Sequence, residues 1–81
     1  MEKSTFTHDY QVLTELLRAV RQEAGVTQAE LAERLGETQS YVSKVERGER
    51  RLDVVQLRWF CGALAMPLKV FIDRYEKTLD K

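Results

Sequence analysis

Residues 27–51 read TQAELAERLGETQSYVSKVERGERR, two helix starts in quick succession and then a knot of arginines. Thr27 and Glu30 have the T-x-x-E spacing of a capping box, in which each side chain satisfies a backbone amide that the helix itself cannot. Val26 before the cap and Leu31 at the fourth helical position stand where a hydrophobic staple closes. Leu31, Ala32 and Leu35 form an inner face, and Gly36 supplies the left-handed residue that commonly ends a helix. Thr38 caps the next helix almost at once, and that helix runs to about Arg47, before Gly48. A linker of about three residues around a glycine forces a sharp crossing, which is helix-turn-helix geometry. Ala32 is small where the two helices approach, and Val42 and Val45 point inward.

The second of these helices turns Gln39, Ser40, Ser43, Lys44 and Arg47 outward, at spacings i, i+1, i+4, i+5 and i+8 that make one continuous face. Every side chain on it can donate a hydrogen bond and none is acidic. Such a face suits the DNA major groove: Gln39 can pair with adenine N6 and N7, Lys44 can donate to guanine O6 and N7, and Ser40 and Ser43 can meet several base edges. Thr27, Gln28 and Thr38, at helix N-termini with free amides, are candidate phosphate contacts. Arg47, Arg50 and Arg51 are further candidates flanking the groove. For Tyr41 two placements stay open, the edge of the core and a hydrogen bond to phosphate. Taken singly, these residues read as an ordinary solvated face, and the arginines as surface partners of Glu46 and Glu49. Their assembly within the motif points to DNA.

The rest of the chain agrees with a small helical protein. Val12, Leu13, Leu16, Leu17 and Val20 recur at helical spacing from about Asp9 to Ala24, with Asp9 as N-cap and Gly25 after the end. Asp53 and Gln56 repeat a capping-box pair, with Leu52 and Leu57 as staple, so a fourth helix starts at Asp53 and continues to about Leu64. Its inner face carries Cys61 with Val54, Leu57, Phe60 and Leu64, which makes Cys61 a small buried hydrophobe. Pro67 suits the first turn of a fifth helix striped by Leu68, Phe71, Ile72, Tyr75 and Leu79. The fold class is therefore all-α: one five-helix domain over 1–81, with 1–8 as a flexible arm, His8 solvated near the first cap, and 76–81 as a frayed tail.

Composition bounds the function. Thirteen basic and thirteen acidic side chains cancel, which argues against a protein that holds polyanions by bulk charge. Yet Thr38 to Arg51 carries four basic and two acidic residues, so positive charge is concentrated locally. One cysteine and one histidine exclude an internal disulfide and fall short of a structural zinc set. No nucleophile, base and pocket are set out together, so an enzyme is not expected, nor a metal, cofactor or small-molecule ligand. The N-terminus lacks a signal-peptide core and no apolar run reaches membrane length, so the expected location is the cytoplasm, on the nucleoid when DNA-bound.

The run TQAELAERLGETQSYVSKVERGER resembles the Cro-like (Xre-type) helix-turn-helix family of phage repressors and bacterial transcriptional regulators, through Gln28 and Gln39, Ala32, Gly36, Val42, Val45 and the S-K-V-E-R-G ending. The resemblance extends from about Leu17 to Phe71 and implies a five-helix lambda-repressor-like fold. It implies that Gln28 holds a backbone phosphate and that Gln39, Ser40 and Lys44 read bases. It also implies an ion pair between Arg21 and Glu46 that orients the third helix. The chain departs from the family pattern at Val55 and Trp59, apolar where relatives usually carry polar residues. Either the chain's own arm or fifth helix covers Trp59, or Val55 and Trp59 form a dimer interface. The implied function is a DNA-binding regulator, a homodimer on a palindromic operator in double-stranded DNA. Rival readings are an antitoxin that also binds a protein toxin, a restriction–modification controller protein, and an interaction module without DNA binding.

Overall fold

The computed structural model describes residues 7–80, which form five helices and, among the described residues, no strand: α1 (His8–Glu23), α2 (Gln28–Leu35), α3 (Gln39–Glu46), α4 (Val54–Ala63) and α5 (Leu68–Leu79). The capping chemistry sets most of these boundaries. Both capping boxes are formed: Thr27 with Glu30 starts α2, and Asp53 with Gln56 starts α4. Gly36 ends α2 in the left-handed region at φ 70°, and Thr38 Oγ1 accepts from Tyr41 N at 3.1 Å to begin α3.

The ends of the chain depart from the sequence reading. Thr7, not Asp9, is the first N-cap, with extended backbone and Oγ1 accepting from Tyr10 N at 3.4 Å. Asp9 lies inside the first turn, where its carboxylate still meets the positive end of the helix dipole. Thr7 and His8 therefore belong to the helix start rather than to a flexible arm, and residues 1–6 lie outside the described residues. The expected frayed tail is helical as far as Leu79. Tyr75 Oη donates to the Asp9 carbonyl at 2.8 Å, and Arg74 binds Glu23 through two 2.9 Å hydrogen bonds, so α5 is tied to both ends of α1. Pro67 occupies the cap position of α5 instead of its first turn, its φ of −59° leading into the helix.

Leu17, Leu31, Val42, Val45, Phe60, Cys61 and Phe71 are each at most 1% exposed, so every helix contributes to one core. Each large side chain buried this way adds about 1.5–3 kcal/mol of hydrophobic stabilisation. Val54, assigned by spacing to the inner face of α4, is 65% exposed. It is the first residue of that helix, and no described element reaches past the helix start to cover it. Between α4 and α5, which meet at 107°, Ala65 adopts φ 56°. The left-handed region is disfavoured for a residue with a Cβ. Hydrogen bonds from Met66 N to Cys61 O (2.8 Å) and Ala65 N to Gly62 O (3.1 Å) hold the turn in place. No single helix among the described residues is long and apolar enough to cross a membrane.

Candidate nucleic-acid interface

α3 has one carboxylate, and the fold turns it inward. Glu46 is 9% exposed, and its oxygens accept from Arg21 Nε at 2.6 Å, Arg21 Nη2 at 3.0 Å and Gln28 Nε2 at 3.0 Å. Arg21 Nη1 also donates to the Val26 carbonyl at 2.8 Å. A single buried cluster thus joins the end of α1, the entry to α2 and the last turn of α3. Removing one partner from such a pair strands a buried charge, which typically costs about 3–5 kcal/mol. The cluster fixes how α3 projects and removes a negative charge from its outer surface.

That outer surface presents Gln39, Ser40 and Lys44, all exposed, with Ser43 half-buried behind them. Thr38 stands at its N-terminal end. Thr27 and Gln28 mark the N-terminus of α2, where the Thr27 hydroxyl is occupied by the Glu30 amide at 3.0 Å. Gln28 is half-buried rather than free, because one of its amide donors is committed to Glu46. Its position beside Thr27 was legible from the sequence; its tie to a side chain eighteen residues away was not.

The three arginines differ in their surroundings. Arg47 donates through Nε and Nη2 to Glu49 at 2.9 and 3.3 Å, and through Nη1 to the Ser43 hydroxyl. These hydrogen bonds hold the Glu49 carboxyl below the ordinary carboxylate range and push the Arg47 guanidinium up. Gly48, at φ 79°, reverses the chain, and the amides of Glu49 and Arg50 both donate to the Lys44 carbonyl, at 2.8 and 3.2 Å. Arg50 and Arg51 are thereby returned beside the end of α3. The Arg50 Cζ lies 5.1 Å from the centroid of the Tyr41 ring, and the Arg51 Cζ lies 4.8 Å from that of Tyr10. Tyr10 was not singled out in the sequence, although its place three residues before Leu13 and seven before Leu17 continues the α1 stripe. Tyr41 is half-buried, and burial raises its phenol above the ordinary tyrosine range.

On α4, Val55 and Trp59 are 50% and 60% exposed. The fifth helix therefore does not bury Trp59; cover by residues 1–6 falls outside the described residues. Trp59 borders a groove of about 840 Å³ that runs between α2, Tyr41 and the α4–α5 turn, with Leu35 and Met66 on its walls and Arg58 and Lys69 at its lining. Cys61 is completely buried, and burial pushes its thiol up to about 11. Among the described residues, no three His, Cys, Asp or Glu side chains are gathered as metal ligands would be.

The helix-turn-helix family profile matches residues 17–65. The chain is 44% identical to an XRE-family like protein from Pseudomonas syringae pv. tomato str. DC3000, over 86% of this chain and 85% of that one, with a TM-score of 0.81. It is 35% identical to the clp gene regulator ClgR from C. glutamicum, covering 76% of this chain and 81% of that one at TM-score 0.69. A third structure is the restriction–modification controller protein C.Esp1396I, a tetramer in complex with its natural 35 base-pair operator. Identity there is 25%, over 93% of this chain and 99% of that one, at TM-score 0.84. No curated protein matches the chain.

Proposed function

Because the chain belongs to the XRE-type helix-turn-helix family of DNA-binding regulators, we propose that it is a sequence-specific transcriptional regulator working as a homodimer on a palindromic operator. In this reading α3 enters the major groove and α2 crosses above it on the phosphate backbone. One observation carries it: the only carboxylate of α3 is buried against Arg21 and Gln28, leaving an exposed face of donors. Gln39, Ser40, Ser43 and Lys44 read base edges there. Thr27, Gln28, Thr38, Tyr41, Arg50 and Arg51 serve the phosphates, with Arg47 joining once it leaves Glu49. Regulation of this kind takes place on cytoplasmic DNA.

The dimer has separate support. An exposed tryptophan beside an exposed valine on one helix is the kind of apolar anchor that interfaces use. A two-fold axis would set two copies of α3 about 34 Å apart, one turn of DNA. The likeness to C.Esp1396I over nearly all of both chains favours a restriction–modification controller as the specific subtype. A restriction-enzyme gene beside this one would support that assignment.

Selection of bound sequences from a random duplex pool tests the function. The expected product is an inverted repeat with half-sites about one turn apart, bound more weakly as salt rises. A pool that yields no sequence, or purified protein with no salt-dependent binding to any duplex, would remove this reading.

A further inference from the structure

We propose that Tyr10 and Tyr41 are positioning residues for DNA binding, holding Arg51 and Arg50 over their rings so that both guanidinium groups meet the phosphates from a preset loop. The inference rests on the DNA-binding reading above and adds to it the parts that aim the arginines. Both arginines lie within the roughly 6 Å at which a cation is attracted to a ring face. Each ring is itself fixed. Tyr10 is 7% exposed, and its Oη accepts from Leu52 N at 3.1 Å, so one side chain anchors the guanidinium of Arg51 and the backbone of the next residue. The Tyr41 ring packs on the fully buried Phe60, with centroids 6.0 Å apart and planes at 50°. Two consecutive arginines are thereby drawn to rings on two different helices, α1 and α3.

The contrast with Arg47 shows what a ring partner does that a carboxylate does not. Glu49 and Ser43 occupy the Arg47 donors, and Glu49 neutralises its charge. Among the described residues, neither Arg50 nor Arg51 forms a salt bridge. A ring face attracts the cation without accepting its in-plane N–H groups, which stay free for phosphate oxygens. Holding the side chains in place before binding also lowers the rotamer entropy lost on contact.

The test measures affinity for a short mixed-sequence duplex against salt, in the wild type and in Tyr10→Leu, Tyr41→Leu, Tyr10→Phe, Tyr41→Phe, Arg50→Ala and Arg51→Ala. Losing one phosphate contact flattens the plot of log K against log salt by about 0.9. The Leu variants are expected to weaken every duplex and move the slope toward that of the matching Ala variant, and Tyr10→Leu should add nothing in an Arg51→Ala background. The Phe variants keep the rings, so each should hold a slope closer to wild type than its Leu counterpart, even where losing the hydroxyl (the Leu52 anchor of Tyr10, the phosphate contact of Tyr41) lowers affinity. If Arg51→Ala flattens the slope while folded Leu variants retain it, the inference fails and the DNA reading stands. If the wild type shows no salt-dependent binding, the DNA reading fails and takes the inference with it. The wild type supplies a check that does not depend on a buried variant folding. The Arg50 and Arg51 Hδ resonances of the free protein should be shifted upfield by the rings, and random-coil positions would overturn the proposal.

Discussion

Gln39 and Lys44 make no side-chain hydrogen bond among the described residues, although both sit on a well-packed helix. Their donors are unspent, as base-reading side chains require. Replacing either with Ala is expected to cost about 1–3 kcal/mol of affinity for the selected site and to relax base preference at one position, measured by binding to single-base variants. Arg47 is the opposite case, because Glu49 competes with DNA for it. Glu49→Gln should strengthen binding to all duplexes and steepen the salt dependence; unchanged titrations would mean that Arg47 stays off the phosphates. At this scale the sequence shows residue types but not their commitments. The outward donors of α3 were legible because helical spacing alone puts them on one face. The tie of Gln28 to Glu46 and the place of Tyr10 under Arg51 depend on how the helices close together, which no local pattern encodes. The pairing of Arg47 with Glu49, two residues away, was open to the sequence as a surface ion pair.

Helices were the most legible part of the chain, because caps and staples are short-range chemistry. Thr27 with Glu30 and Asp53 with Gln56 begin α2 and α4 as their spacing implies. The start of α1 was misplaced because Thr7 and Asp9 are both good capping residues, and the choice between them is made by backbone geometry and by Tyr10 packing inward. The stripe of α5 reaches Leu79 as its spacing implies, while the ties of Arg74 to Glu23 and of Tyr75 to Asp9 join residues far apart in sequence and were not legible. The α4–α5 turn carries a strain that the sequence conceals, since alanine rather than glycine occupies the left-handed position at Ala65. Ala65→Gly relieves the Cβ clash, at the cost of some added freedom in the unfolded chain. The net gain expected is about 0.5–1 kcal/mol, seen as a higher urea midpoint. A loss of stability would indicate that the Ala65 methyl group packs usefully.

For the whole molecule, a neutral chain meets a polyanion by arranging charge rather than accumulating it. Glu46 is buried, the arginines gather after α3, and the Glu23–Arg74 pair lies across α1 and α5. The same economy applies to apolar surface: an 81-residue chain buries one core and leaves Val55 and Trp59 outside it. Trp59→Ala is expected to convert a dimer to a monomer in sedimentation velocity and to weaken binding to a two-half-site duplex more than to a single half-site. An unchanged dimer would move the interface elsewhere. The proposed entry of α3 into the major groove can be tested chemically, by methylation interference on the selected duplex. Methylating guanine N7 blocks the major-groove edge that Lys44 is placed to meet. Interference is expected at guanines in each half-site and should fade at one position in Lys44→Ala; interference confined to minor-groove adenine N3, or absent altogether, would contradict the placement of α3.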